Sequence, residues 1–382
     1  MKSKLPKTIP ANLICFSHLR WDFVYQRPQH LLSRFSNNSA VWFFEEPIFD
    51  GSENNHLSIR SISSSLHIVI PHLQHGLAQD EVISIQTKLL KQFTDNLDLD
   101  ETMFWYYTPM ALQFSSSLKP KFTVFDCMDE LSAFKFAPAE LLQLEQKLMT
   151  MADVVFTGGH SLYEAKKHRH NNIHPFPSGI DKEHFGNARK KLAEPADQVE
   201  IKGPKMGFYG VIDERFDIEL IREMATARPD WQFILIGPVV KIDQDHLPRN
   251  RNIHYLGMKT YDELPAYLSN WDVAMIPFML NESTEFISPT KTPEYLAAGV
   301  PVVSSRIKDV VKPYGTAGLV HICSGIDEFV AAIDSELHKS CSKEWLQKVD
   351  TFLEGVSWDI THQEMHDTIC RTINEQKISI AS

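Results

Sequence analysis

The sequence predicts an α/β chain made of two doubly wound domains in series. Short apolar runs of strand length alternate with segments of helical periodicity, which is the pattern of parallel strands crossed by helices. The alternation lapses once, over residues 187–204, and then restarts. The 382 residues also exceed what one hydrophobic core of common size takes.

In the first half the expected strands cover residues 12–17, 41–46, 67–71, 103–108, 122–126, 154–158 and 173–177. Helices fall near 27–36, 81–97, 139–152 and 161–169. Residues 1–186 thus form one domain. The stretch Asn187-Ala-Arg-Lys-Lys-Leu-Ala-Glu-Pro-Ala-Asp-Gln198 loses apolar periodicity and reads as linker up to residue 204.

The second domain, 205–357, restarts with strands over 206–211, 232–236, 253–256, 273–278, 302–305 and 319–322. Helices are expected over 217–227, 261–270 and 290–298. From residue 326 the chain turns helical, with segments at 327–337, 343–353 and 359–375, the last within a terminal segment 358–382. Doubly wound domains bind ligands at the carboxyl ends of their strands, so two facing each other are expected to enclose a cleft.

Bulk properties narrow the function. The composition is that of a soluble globular protein, with 43% hydrophobic and 23% charged residues. A net charge of −11 disfavours a nucleic-acid partner, because phosphate-backbone binding relies on clustered Lys and Arg. The short basic clusters Lys166-Lys-His-Arg169 and Arg189-Lys-Lys191 offer a weak pull toward an anionic bilayer, hence an expectation of peripheral membrane contact. Five cysteines without C-x-x-C spacing signal neither a disulfide framework nor a zinc site and fit a reducing compartment. The lead Met1-Lys-Ser-Lys-Leu-Pro6 has no signal-peptide core, and no run is long and apolar enough to span a membrane. The expected location is cytoplasmic, with any lipid-linked substrate met at the inner face of the membrane.

The chemistry concentrates in Phe286-Ile-Ser-Pro-Thr-Lys-Thr-Pro-Glu-Tyr-Leu-Ala-Ala-Gly299. A helix start supplies backbone N–H groups that hold phosphate. Ser288 as cap with Pro289 in the first turn is one reading, and Thr292 with Pro293 is another. In both, hydroxyls cluster, Lys291 adds a cation, and Glu294 sits within about a turn, where a carboxylate accepts from two vicinal hydroxyls.

This order, followed by Val300-Pro-Val-Val, resembles the donor-site signature of the GT-B glycosyltransferases of group 1, a family-4-like set. The resemblance implies two Rossmann-like domains with a last helix, begun at Ser357-Trp358, that crosses back to the first. It implies ribose binding by Glu294 and phosphate binding by Ser288, Pro289, Thr290 and Lys291. Met206-Gly-Phe-Tyr-Gly210 matches the family's glycine-ended first strand, and the loop after it offers Arg215 as the cation for the leaving diphosphate. Gly237 and Lys259 follow strands whose loops lie near the base. The family's second glutamate, which touches the sugar, falls here on Phe286, with Glu285 one residue away. Pro177-Ser-Gly-Ile-Asp181 with Phe185 resembles the interdomain element.

In the first domain, Ser17-His-Leu-Arg-Trp-Asp-Phe-Val-Tyr-Gln-Arg-Pro-Gln-His30 follows the first strand and should meet the acceptor, with His18 and Arg27 as contacts. Arg27-Pro-Gln-His-Leu-Leu32 resembles a branch engaged in cell-envelope polysaccharides. Asp126 and Asp129, at the end of another strand, are candidate general bases. The expected reaction moves a hexose from a UDP- or GDP-linked donor to a saccharide or lipid-linked acceptor, retaining by resemblance, although a base at Asp126 or Asp129 would allow inversion. No metal and no cofactor are expected: fixed charges and dipoles stabilise the departing diphosphate. The Asp-x-Asp matches at Asp98-Leu-Asp100 and Asp243-Gln-Asp245 do not follow buried strands as a metal site requires. The rival readings are an epimerase or phosphorylase on the same frame, and an inactive nucleotide-sugar-binding scaffold.

Overall fold

The computed structural model describes residues 8–339 and 342–381; the lead Met1–Pro6 and Cys341 lie outside the described residues. The chain divides into two compact units. One holds the described residues up to Ser132, Phe136–Pro177 and the chain from Thr361; the other holds Ala133–Lys135 and Ser178–Ile360.

Among the described residues the first unit is built on nine strands: β1 (Asn12–Phe16), β2 (Ala40–Phe44), β3 (Ile48–Phe49), β4 (His56–Ser61), β5 (Leu66–Leu73), β6 (Thr102–Tyr106), β7 (Phe122–Cys127), β8 (Val154–Thr157) and β9 (Ile173–Pro175). Their order is β3-β5-β2-β1-β6-β7-β8-β9, with β4 paired antiparallel to β5 and the other pairs parallel. Every residue of β6, Thr-Met-Phe-Trp-Tyr, is buried, as it must be where helices cover both faces of a parallel sheet. The strands β3 and β4 lie outside the expected set. β4 is an exposed edge whose apolar content is low, and polar pairs such as Ser58 with the His72 ring, at 2.8 Å, hold it in place.

The second unit carries β10 (Lys205–Tyr209), β11 (Gln232–Ile236), β12 (Ile253–Gly257), β13 (Val273–Ile276), β14 (Val302–Ser305) and β15 (Val320–Cys323). All pairs are parallel, in the order β12-β11-β10-β13-β14-β15. Helices at Ile218–Ala227, Leu264–Leu268, Lys291–Ala297, Ile326–Leu337 and Lys343–Phe352 connect and cover them. The apolar core runs from Met206 and Phe208 through Phe233–Ile236 and Val273–Ile276 to Val302 and Val303.

Residues 187–204 are not a free linker. The passage between units falls earlier, at Pro177 and Ser178. Gln198 is fully buried, and its Oε1 accepts from the Trp271 indole N–H at 3.0 Å. Arg189 makes a two-pronged pair with Asp350 at 2.8 and 3.0 Å. The segment is polar because polar side chains anchor it, a use that composition alone does not separate from solvation. The last helix, Trp358–Ala381, belongs to the first unit from Thr361 onward.

Candidate active site

In the second unit the chain leaves β10 for β11 on one side and returns to β13 on the other, so the strand order reverses beside the carboxyl end of β10. Such a switch point opens a crevice for ligands. Gly210, directly after β10, has φ +134°, and Gly237, directly after β11, has φ +133°. Their N–H groups extend the ladder, Gly210 to the Ile236 carbonyl and Gly237 to the Gly257 carbonyl, each at 2.8 Å. A Cβ at Gly237 would stand 2.0 Å from the Gly210 carbonyl oxygen. One at Gly210 would stand 2.2 Å from Cε and 2.6 Å from Nζ of Lys291. These glycines therefore make room for the protein's own parts: the two loops interlock, and Lys291 reaches across the end of β10. Its ammonium lies 5.6 Å from the Phe208 ring centre and 5.9 Å from that of Phe278.

The helix Lys291–Ala297 starts at neither of the two expected caps. Thr290 is the N-cap, in helical conformation and without a side-chain cap bond, and the Thr292 N–H reaches the Pro289 carbonyl at 3.2 Å. Pro289 thus precedes the helix and Pro293 stands at its third position, still within the first turn where a missing N–H costs nothing. Ser288, Pro289, Thr290 and Lys291 are half-buried around this start. The Thr292 hydroxyl is buried without a hydrogen-bond partner among the described residues.

Glu294 is only 6% exposed. The Tyr209 hydroxyl donates to its Oε2 at 2.5 Å. Burial pushes the carboxyl up to about 7, against the pull of the Tyr209 hydrogen bond and the Lys291 charge. Tyr209 is itself fixed. Its N–H donates to the Tyr295 hydroxyl at 3.1 Å, its ring meets Tyr295 edge-on at 5.0 Å, and Phe185 lies parallel to it at 6.4 Å. Phe185 follows Asp181, which caps the helix Lys182–Gly186 by accepting from the His184 N–H.

Other expected donor contacts are differently engaged. Arg215 grips Asp213: its Nε and Nη2 donate at 3.0 and 2.7 Å, and its own backbone N–H donates at 3.0 Å. Its charge is partly matched before any phosphate arrives. Next to it, both carboxylate oxygens of Glu214 are buried without a hydrogen-bond partner among the described residues. Lys259 pairs with Asp197 at 2.6 Å and lies over the Tyr267 ring, so it anchors the 187–204 segment. Glu285 pairs with Lys308 at 2.6 Å, both well exposed, and Phe286 lies under the same ammonium at 5.3 Å.

The first unit corrects two roles. Asp126 is fully buried and is held by Arg27 in a two-pronged pair at 2.9 and 3.0 Å; Arg27 also donates to the Phe176 carbonyl at 2.7 Å. Burial works against charge on Arg27, but the Asp126 carboxylate more than offsets it, and the Arg27 pKa is raised. Neither residue is placed to deprotonate or contact an acceptor; they lock the start of the helix Arg27–Phe35 to β7. His18, two residues past β1, sits half-buried at the unit's own switch point between β1 and β6. Asp129, also half-buried, follows β7, and its backbone carbonyl accepts from the Cys127 thiol.

Each basic cluster is partly engaged by acids, while Lys167, Lys190 and Lys191 stay exposed. Lys166 is buried against Glu145 and Glu130 at 2.8 and 2.7 Å, and Arg169 also pairs with Glu145. Arg189 is taken by Asp350. Asp98 and Asp243 each accept from the N–H two residues on, so both Asp-x-Asp stretches are turn caps.

Residues 204–339, the span that holds β10, the two glycines, Lys291 and Glu294, match the family described as Glycosyl transferases group 1. Over this span the chain carries a glycosyl transferase group 1 domain. TuaH of Bacillus subtilis, a protein named for a glycosyltransferase role in teichuronic acid biosynthesis, is 25% identical over 287 residues, covering 70% of this chain and 67% of TuaH. The GT-B fold is shared with sucrose-phosphate synthase from Thermosynechococcus elongatus at TM-score 0.68 and 14% identity, over 97% of this chain and 100% of that one. It is shared too with HepE of Anabaena, solved in complex with UDP and glucose, at TM-score 0.67 and 11% identity over 94% and 99% of the two chains.

Local sequence pattern does not single out Tyr209, Tyr295 or Glu214. Tyr209 was legible only as a strand residue before a glycine; its hydroxyl gains meaning from a residue 85 positions away.

Proposed function

We propose that the enzyme moves a hexose from a UDP- or GDP-linked donor to a saccharide or lipid-linked acceptor, with retention and without a metal, in the synthesis of a cell-envelope glycan. The observation that carries the donor end is Glu294, a buried carboxylate at the switch point with Oε2 held by Tyr209. A carboxylate so held accepts from the vicinal hydroxyls of a ribose. Lys291, over the end of β10, and Arg215, in the adjoining loop, are the cations assigned to the diphosphate, with Ser288, Pro289 and Thr290 around it. Negative charge builds on that diphosphate as the glycosidic bond breaks, and preorganised charge lowers the barrier.

UDP is favoured as the nucleotide by HepE, solved with UDP and glucose, and the envelope assignment by the likeness to TuaH. Retention is favoured because Asp126, one of the two candidate bases for inversion, is locked to Arg27. The acceptor end rests on His18 and Asp129, at the strand ends of the first unit. Placement at the inner face of the membrane follows from a lipid-linked acceptor; no helix among the described residues is long and apolar enough to cross a bilayer.

Calorimetric titration with UDP- and GDP-sugars tests the donor site. One nucleotide should bind and Glu294→Ala should abolish binding; binding unchanged in that variant overturns the assignment. Turnover that survives EDTA supports the metal-free reading, and the anomeric configuration of the product, read by NMR, tests retention.

A further inference from the structure

Tyr209 ends β10 and points its hydroxyl at Glu294 on another element of the same unit. The ring has little freedom to leave. Tyr295 receives its backbone N–H and packs edge-on, Phe185 lies parallel on it, and Trp271 is 6.2 Å away. Burial and the Glu294 charge push the Tyr209 hydroxyl well above the usual phenol range, so it stays a donor. An oxygen that accepts so firmly from one side cannot rotate away, and the carboxylate plane is set.

We propose that Tyr209 is a positioning residue for the donor: by donating to Oε2 it orients the Glu294 carboxylate so that Oε1 receives the ribose hydroxyls. The inference rests on the assignment of Glu294 to the ribose. It assigns Tyr209 a second task, since the same hydrogen bond favours the ionised carboxylate that a hydroxyl donor needs.

The groups that act on Glu294 are Tyr209 from β10 and Lys291 from its own helix. Tyr295 and Tyr261 act on Tyr209, and the helix Lys182–Gly186 brings His184, whose ring stacks on Tyr261 at 4.2 Å. With Glu294 raised to about 7, donor affinity should fall as pH drops through neutrality. Removing the Tyr209 hydroxyl removes an influence that lowers this pKa, so the midpoint must move up.

The test is calorimetric titration between pH 5.5 and 9 with UDP-glucose and GDP-mannose, whose esterified diphosphates have no group titrating near neutrality. The tighter ligand is carried through for the wild type, Tyr209→Phe and Glu294→Gln. Tyr209→Phe should weaken binding at every pH because the carboxylate is no longer oriented, and should also shift the midpoint upward by about one pH unit, so that the loss is roughly fivefold larger near pH 7 than at pH 9. A purely structural role for the tyrosine would weaken binding equally at every pH, and that outcome, or no change at all, overturns the proposal. Circular dichroism and the melting temperature of Tyr209→Phe confirm that folded protein is compared. If Glu294→Gln binds as tightly as the wild type, the ribose assignment fails and this inference with it. If Glu294→Gln loses binding while Tyr209→Phe follows the wild-type profile, the inference alone fails.

Discussion

Asp126 in the first unit and Glu294 in the second are both buried carboxylates beside the carboxyl ends of parallel strands, yet their surroundings differ. Asp126 faces a guanidinium that fills both of its oxygens. Glu294 takes one neutral hydroxyl on one oxygen, with Lys291 near enough to pull on its pKa. The first arrangement is complete without a ligand and the second is not. A strand-end acid marks a site only when its hydrogen-bonding capacity is left open, and that is a property of the partners, not of the acid.

Breaking the closed pair should have the largest effect. Arg27→Ala leaves Asp126 buried without its counter-charge, and a cost of about 3–5 kcal/mol is expected in denaturant unfolding. The double variant Arg27→Met with Asp126→Leu should regain much of that loss, because two apolar groups need no compensation. If Arg27→Ala unfolds like the wild type while acceptor turnover vanishes, Arg27 belongs to the acceptor site after all.

The same contrast explains what could be read in advance. The strand-and-helix alternation is legible because the central strands of both sheets are parallel and covered, so they read as largely apolar runs, as in Val154–Thr157 and Val273–Ile276. The edge strand β4 is not, because an edge facing water needs no such run. That Glu294 and Lys291 stand together at one helix start is legible from their motif, which is local. The partners of Arg27, Lys259, Lys166 and Glu285 lie 99, 62, 21 and 23 positions away in chain order, and no local pattern encodes them. The helix start departs from both expected caps for a related reason: two Pro-bearing caps fit the local pattern, and the chain begins its helix between them, with Thr290 as N-cap and the Pro289 carbonyl accepting from Thr292.

Two glycines allow a finer comparison within the open site. Gly237→Ala drives a Cβ into the Gly210 carbonyl at 2.0 Å, backbone against backbone, at a φ that L-residues rarely adopt. A loss of about 2–4 kcal/mol is expected. Gly210→Ala meets only the end of the Lys291 side chain, which can swing away. It should cost about 1–2 kcal/mol in stability, for its φ and the displaced contact, but should weaken donor binding more than Gly237→Ala does per folded molecule. Equal stability losses would mean that Lys291 is not free to move.

Glu294 makes the open site a stability liability in the ligand-free protein. Its carboxyl is raised from 4.5 to about 7 in the fold. Its contribution to stability is therefore full below the unfolded value, declines as pH rises through that window, and has gone above the folded value. Glu294→Gln removes the titration. At pH 8 the variant should be more stable than the wild type by up to about 3 kcal/mol, with the advantage vanishing near pH 4, while donor binding is lost. Parallel stability–pH curves for the two proteins would mean that Glu294 does not titrate in this range.

The smallest effect is expected at Glu285. It is paired with Lys308 in solvent, so Glu285→Ala should change stability by less than about 0.5 kcal/mol. The family pattern places a sugar-contacting acid at the neighbouring position, here Phe286, so turnover decides whether Glu285 has moved into that role. Its side chain already has a partner in Lys308 and lies over solvent, which makes a change in kcat/KM beyond twofold unexpected. Glu214 presents the opposite case: its carboxylate oxygens are buried, and no described residue hydrogen-bonds them. An acid in that condition gains more from a ligand hydroxyl than an acid that must first leave a salt bridge, because a buried unsatisfied group carries its full desolvation cost until a partner arrives. Measured side by side, Glu285→Ala should turn over donor like the wild type and Glu214→Gln should be the more affected of the two; a large loss in Glu285→Ala with Glu214→Gln unchanged would mean that Glu285 leaves Lys308 to meet the sugar.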